Sequence, residues 1–457
     1  MNQREHSRRR RALMRRMGRD DIAILPAAEP KLRNRDVEYR YRPDSDFYYL
    51  TGFGEPHAVA VLLPGRPAGE YVLFCRDRDP ARERWDGPRA GLDGAREHFG
   101  ADDAFPIDDL DEILPGLLEG RERVHYAMGL QPEFDHKLVQ WMSRLRGANS
   151  EVLPQELTSL EHTLHDMRLY KSRSEIAAMR KAARITAAAH CRAMQQCRPG
   201  MFEYELEAEL IHACRSAGTA FAYPPIVGAG ANSCVLHYID NDSVCQDGDL
   251  VLIDAGCEYD CYASDVTRTF PVNGRFSAEQ RAIYDVVLAA QLAAIDQVRP
   301  GNDWNAPHEA ATRAITRGLV RLGLLQGRPT RLMKEGAQTR FYMHKTGHWL
   351  GMDVHDVGDY RVGEVWRQLE PGMVLTVEPG IYIPAGTRGV PRRWWNIGVR
   401  IEDDVLVTGD GHEVLSAGVP KAVEDIEALM ASGAGAAPAS EAPSRRRRPA
   451  RTGTSAA

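Results

Sequence analysis

Gly248-Asp249-Leu250-Val251-Leu252-Ile253-Asp254-Ala255-Gly256 and Gly372-Met373-Val374-Leu375-Thr376-Val377-Glu378-Pro379-Gly380 are two versions of one pattern. Each runs from a glycine through an apolar strand to a carboxylate, one further residue and a second glycine. The carboxylate stands six positions after the first glycine both times (254 − 248 and 378 − 372). What precedes them repeats too. Upstream of the first, Ser172 and Glu175 form a capping box that opens an Ala-rich helix ending at Arg198-Pro199-Gly200. A helix over Glu203 to Ala217, a Gly-bearing loop and His237 follow. Upstream of the second, Ser277 and Gln280 repeat the box, the helix ends at Arg299-Pro300-Gly301, and a further helical segment and a Gly-bearing loop lead to His355. Pro and Gly end helices everywhere, so the tripeptide alone carries little. The joint order implies a duplicated half-domain with a pseudo-two-fold axis whose strands end at a shared centre.

Chemistry gathers at those ends. Asp254 closes an apolar strand, where a buried charge is costly unless paired or metal-bound. Asp265 opens Ser264-Asp265-Val266-Thr267-Arg268-Thr269-Phe270, whose alternation puts Asp265, Thr267 and Thr269 on one face. Glu378 is the counterpart of Asp254, and Glu402 follows Arg400 on one face of Gly398-Val399-Arg400-Ile401-Glu402-Asp403. Singly, a strand-end carboxylate is as often a turn former or cap. As two equivalent pairs they repel one another unless cations lie between them, and two-fold symmetry supplies two cation sites.

His344-Lys345-Thr346-Gly347-His348-Trp349-Leu350-Gly351-Met352-Asp353-Val354-His355-Asp356 concentrates three histidines. His344 and His348 have the spacing of a helical zinc pair, but no Glu follows His344, and Gly347 and Gly351 make a helix poor. An irregular loop delivering one metal ligand and two substrate contacts is the better reading. His237 alone would pass for a core histidine. Its match to His355 in the repeat argues for the site.

At 457 residues the chain exceeds one core, and two or three domains are expected. Short apolar runs at Ile22 to Leu25, Phe47 to Leu50, Ala58 to Leu63 and Tyr71 to Phe74 read as strands, and Leu110 to Leu118 and Phe134 to Leu145 as helices. This gives an N-terminal α/β domain over residues 1–167 without a Gly-rich phosphate loop, then the duplicated domain over 168–431. From Ser432 the composition shifts to Ala, Gly, Pro, Ser and Arg, predicting a disordered tail over 432–457. Its Arg445 to Arg448 read as a solvated charge run. A net charge of −6 gives no overall attraction to nucleic acid or anionic membrane. No apolar run is long enough to span a bilayer. The N-terminus lacks an apolar core, and the eight cysteines are scattered, so a cytoplasmic protein with reduced thiols is expected. Cys257 and Cys261, a lone C-x-x-x-C pair, read as packing rather than zinc ligands.

Asp254-Ala-Gly-Cys-Glu-Tyr, Asp265-Val-Thr-Arg-Thr-Phe-Pro, His348-Trp-Leu-Gly-Met-Asp-Val-His-Asp, Val377-Glu-Pro-Gly and Arg400-Ile-Glu-Asp together resemble the M24 peptidases of "pita-bread" fold. Asp44-Ser-Asp-Phe-Tyr-Tyr-Leu-Thr-Gly-Phe53 is similar to the N-terminal domain of their aminopeptidase-P-type branch. The likeness covers almost the whole chain before the tail. It implies an α/β (α+β) protein and a metal-dependent aminopeptidase acting on peptides with proline at position two through a metal-bridging hydroxide. Asp254, Asp265, His348, Glu378 and Glu402 would be ligands to two divalent ions, usually Mn2+, with Glu378 also shuttling the proton. His237 and His355 would contact the scissile peptide group, His344 would help line the proline pocket, and Arg400 and Tyr382, at outer positions, would support substrate binding. Tyr223 falls at an outer position, and Trp85 matches an aromatic lent by a neighbouring subunit, implying a homo-oligomer (dimer or tetramer). Lys345 departs from the small residue expected beside the first histidine. A prolidase of the same fold would share every ligand but cleave only dipeptides, and the first-domain motif speaks against it. A methionine aminopeptidase would lack the large first domain. A non-catalytic peptide-binding protein or a creatinase-like hydrolase would lose ligand carboxylates that are all present here.

Overall fold

The computed structural model describes residues 2–148 and 153–433. The first half is built on a six-stranded mixed sheet in the spatial order Asp103–Pro106, Tyr71–Cys75, Val59–Leu62, Asp21–Pro26, Arg123–His125, Glu156–Thr158. Its central strands are apolar at all but one position, Asp21, because both faces are covered. Ile22, Ile24, Val59 and Val61 pack on the helices Leu110–Leu118 and Pro132–Ala148. Ala23, Leu25, Ala60 and Leu62 join a core that also takes in Tyr262, Leu350, Met352 and Val374 of the second half. The two halves therefore share one hydrophobic cluster.

One expected strand is a helix. Phe47 to Leu50 lies in the helix Ser45–Thr51, where the Asp44 side chain accepts from Phe47 N and Gly52 ends the turn at φ 67°. An aspartate N-cap and a left-handed glycine outweigh the aromatic strand propensity of the run. The sequence boundary at 167/168 falls inside the helix Glu161–Leu169, and the next helix begins at Arg173. At the other end the helix Val423–Gly433 includes Ser432 and Gly433, assigned above to the tail; residues 434–457, including Arg445 to Arg448, lie outside the described residues.

The duplication is visible in the order of elements. Both capping boxes form, on the helices Arg173–Gln196 and Ala278–Ile295. The first is followed by the helix Glu203–Ser216 and the sheet Ile226–Ala229, Leu250–Asp254, Thr267–Pro271. The second is followed by the helix Ala306–Arg321 and the sheet Val374–Val377, Asp403–Val407, His412–Val414, with the hairpin Gly380–Ile383 and Ile397–Arg400 beside it. In one sheet Asp254 faces Thr267 across the ladder, and in the other Val377 faces Asp403. Asp265 and Glu402 thus precede the partner strands at the same ends where Asp254 and Glu378 finish theirs. Asp265 is not itself a strand residue; the strand begins at Thr267, after a turn held by Ala255 N donating to Val266 O (3.1 Å). The eight cysteines are free thiols, with Cys257 buried in the core. Among the described residues no helix is long and apolar enough to cross a membrane.

Candidate active site

The strand ends meet in a cavity of about 260 Å³ lined by Asp254, Asp265, Glu378, Glu402, His237, His344, His348, His355 and Arg400, with Leu236, Lys345 and Gly347. Every expected site residue except Tyr223, Tyr382 and Trp85 is in that lining. Tyr382 is fully buried behind it, and Trp85, in the short helix Glu83–Asp86 of the first half, is 87% exposed.

Residues 343–360 contain no helix, as Gly347 and Gly351 predict, and the loop runs against the strand Val374–Val377. Thr376 N donates to His348 O (2.9 Å), His348 N to Thr376 Oγ1 (3.1 Å) and Glu378 N to Thr346 O (2.7 Å). The approach is close enough that a Cβ on Gly347 would sit 2.0 Å from Thr376 O. His348 Nδ1 lies 2.9 Å from Trp349 O, and a carbonyl can only accept. That fixes the proton on Nδ1 and leaves Nε2 aimed at Asp265 Oδ2 (3.3 Å) and Glu378 Oε1 (3.7 Å). His344 Nδ1 donates in the same way to Lys345 O (2.7 Å), so its Nε2 accepts from Tyr382 Oη (2.9 Å). Arg400 in turn donates to Tyr382 Oη (3.1 Å), Thr267 Oγ1 (3.0 Å) and Asp254 Oδ2 (2.6 Å). The Tyr223 hydroxyl is shared between Asp254 Oδ1 (2.6 Å) and Asp265 Oδ1 (2.5 Å).

Crowding sets the charge states. Burial, then the Asp265, Glu378 and Asp254 carboxylates, drives Glu402 well above the ordinary range. Glu378 rises to about 7 through burial, against the pull of His348 and Arg400. Burial opposes a charge on His348, but its hydrogen bond and charge pairing with Asp265 prevail and raise it to about 9. Burial and the Arg400 charge lower His344 to about 4, so it is a neutral acceptor. Asp265, His348 and Glu402 bring donor atoms within 4.8 Å of one another, the grouping a metal ion requires. Four carboxylates and one histidine with its Nε2 turned inward are hard-to-borderline donors that suit a divalent cation, which would displace the Nε2 proton and relieve the repulsion that pushes Glu402 up.

Sequence reasoning missed Asp404, fully buried, whose carboxylate accepts from Asp265 N (3.1 Å). It also missed Thr376 and the Arg168–Asp356–Lys171 cluster behind the histidine loop. Lys171 Nζ lies 2.9 Å from Asp356 Oδ2, and Arg168 reaches Asp356 (2.6 Å), Asp353 (2.7 Å) and Asp46 (2.8 Å). No local pattern marks these residues, since their partners lie far off in the chain.

Fold and donor set define one class, and the chain belongs to it: it is a member of metallopeptidase family M24, matched over residues 177–409. Residues 6–126 match the aminopeptidase P N-terminal domain. The chain is 46% identical over 434 residues to the Xaa-Pro aminopeptidase of Escherichia coli K12, covering 94% of this chain and 98% of that one. Among solved structures it aligns with Pseudomonas aeruginosa aminopeptidase PepP at TM-score 0.95 and 60% identity, over 95% of this chain and 99% of that one. It also aligns with a zinc-substituted E. coli aminopeptidase P in complex with product, at TM-score 0.92 and 45% identity, over 95% and 99% of the two chains.

Proposed function

We propose that this chain is a metal-dependent aminopeptidase releasing the first residue of peptides whose second residue is proline. The observation that carries the reading is the cavity in which two strand pairs and one histidine loop converge. The near full-length likeness to Xaa-Pro aminopeptidases supports the substrate class and does not favour a dipeptidase. Asp254, Asp265, His348, Glu378 and Glu402 would hold two divalent ions, Mn2+ in our reading, which when bound supply Lewis acidity and acidify a water to a pKa of about 7.

The chain's own groups do the rest. Glu378, whose carboxylate lines the cavity beside His348, takes the proton of the attacking water and delivers it to the proline nitrogen as the bond breaks. His355 and His237 line the open side of the cavity and donate to the scissile carbonyl oxygen as it gains charge. His344 and Arg400, tied together through the Tyr382 hydroxyl buried behind them, form the wall against the proline. An amide to proline carries no N–H, so a site that asks for none accepts it. Trp85, exposed and outside its own chain's cavity, would cover the site of a neighbouring subunit in a homo-oligomer. Free thiols and the absence of a membrane-crossing helix among the described residues support a cytoplasmic location.

The test is a Gly-Pro-Xaa tripeptide assayed with Mn2+ and then with chelator. Release of glycine that chelator abolishes is expected. Cleavage confined to Xaa-Pro dipeptides, or turnover indifferent to chelator, would overturn the reading.

A further inference from the structure

A second cavity, of about 250 Å³, adjoins the catalytic one. Lys345 and Gly347 line both, so the histidine loop borders the two. Its walls are aromatic: Trp304 packs on Trp349 at 4.1 Å and on Tyr360 at 4.5 Å between ring centroids, and Trp366 closes another side. His308 and Thr346 add polar atoms, joined by a 2.8 Å hydrogen bond.

The charge inventory of the two cavities is opposite. The catalytic cavity gathers four carboxylates. The second has no carboxylate in its lining, and Lys345 is its one side chain with a fixed charge among the described residues. Lys345 is exposed, and among the described residues no carboxylate pairs with it. Its positive field already reaches the cavity wall, where it helps burial hold His308 in the neutral form, at about 4. An apolar aromatic pocket with one unpaired cation beside it takes an anion on an apolar stem.

We propose that Lys345 and the Trp304–His308–Trp366 cavity form a subsite for a substrate carboxylate, making Lys345 a specificity-determining residue for peptides with an acidic group close to the scissile bond. The inference rests on the aminopeptidase reading above. The carboxylate has three sources: the side chain of the first residue, the side chain of the third, or the free C-terminus of a tripeptide. Each presents the same carboxylate chemistry, and the experiment distinguishes among them.

The experiment compares kcat/KM within matched pairs on the metal-loaded enzyme: Glu-Pro-Ala-amide against Gln-Pro-Ala-amide, Ala-Pro-Glu-amide against Ala-Pro-Gln-amide, and Ala-Pro-Ala acid against its amide. The pair that prefers the acid by roughly five- to tenfold at low salt identifies the source. In Lys345→Met that preference should fall to parity, in Lys345→Arg it should persist, and in Lys345→Glu it should invert. Added salt should weaken it. A wild-type enzyme without preference in any pair, or a preference that survives Lys345→Met, overturns the subsite while leaving the activity intact. If the neutral peptides are not cleaved at all, the aminopeptidase reading falls and this inference falls with it.

Discussion

At the scale of single residues the site separates groups that hold the cation centre from groups that meet the substrate. His355 tests the division. It stands in ring contact with His348, at 4.4 Å between centroids, yet makes no hydrogen bond or ion pair with a carboxylate among the described residues and lies on the open side of the cavity. His355→Ala is expected to lower kcat by roughly 10²–10³-fold, the scale of one transition-state donor, with metal content unchanged by elemental analysis. Loss of metal in that variant would make it a ligand instead. Gly347 tests the other side. A methyl group there meets the Thr376 carbonyl at 2.0 Å, in the backbone pairing that holds His348 and Glu378. Gly347→Ala should destabilise the fold by about 1–3 kcal/mol, in the range of overpacked sites. It should also weaken metal affinity in a binding titration. Unchanged affinity would mean that the loop yields without moving His348.

At the scale of elements, the histidine loop is clamped from behind. Arg168 and Lys171 flank the end of the helix Glu161–Leu169, Asp356 follows His355, and Asp46 comes from the helix Ser45–Thr51. Asp356 and Lys171 are almost wholly excluded from solvent, so removing one partner strands the other's charge. Asp356→Ala should cost about 3–5 kcal/mol in urea denaturation. Lys171→Met combined with Asp356→Ala should cost less than the sum of the two single changes. Additive costs would show that the pair is not coupled. The same elements show what was legible beforehand. The two glycine-to-carboxylate strands, both capping boxes and the non-helical histidine loop could be read because each is a local pattern with a fixed period or cap. The helix at Ser45–Thr51 was misread because four apolar residues satisfy either period, and the deciding cues, Asp44 and Gly52, lie outside the run. Asp404 and the Arg168 cluster were invisible because their roles exist only through contacts across more than a hundred residues.

At the scale of the whole molecule, the two halves are bound by a shared core and by the first helix, Gln3–Met14, which carries a buried histidine. Arg9 on that helix reaches Glu175 (3.2 Å) and Tyr262 (3.1 Å) of the second half. One turn away, His6 is 1% exposed, with Nδ1 on Tyr49 O (3.1 Å). Burial first, then the charges of Arg9 and Arg10, lowers His6 from 6.5 to about 4. His190, buried with Nε2 on Ala255 O (3.0 Å), is lowered to about 4 mainly by burial. For both, the unfolded chain takes up a proton near pH 6.5 while the folded chain waits until about 4. Their contribution is therefore intact above pH 6.5 and lost as pH falls through that window, with a slope of up to about 1.4 kcal/mol per pH unit for each. Glu378 has the opposite sign: its folded value lies above the unfolded one, so protonation favours the folded state as pH falls. The difference between wild type and His6→Gln cancels that term and isolates His6. Urea midpoints measured from pH 7.5 to 4.5 should fall less steeply with acid in His6→Gln than in wild type, the two curves converging or crossing below pH 6.5. Parallel curves throughout would show that His6 titrates alike in both states.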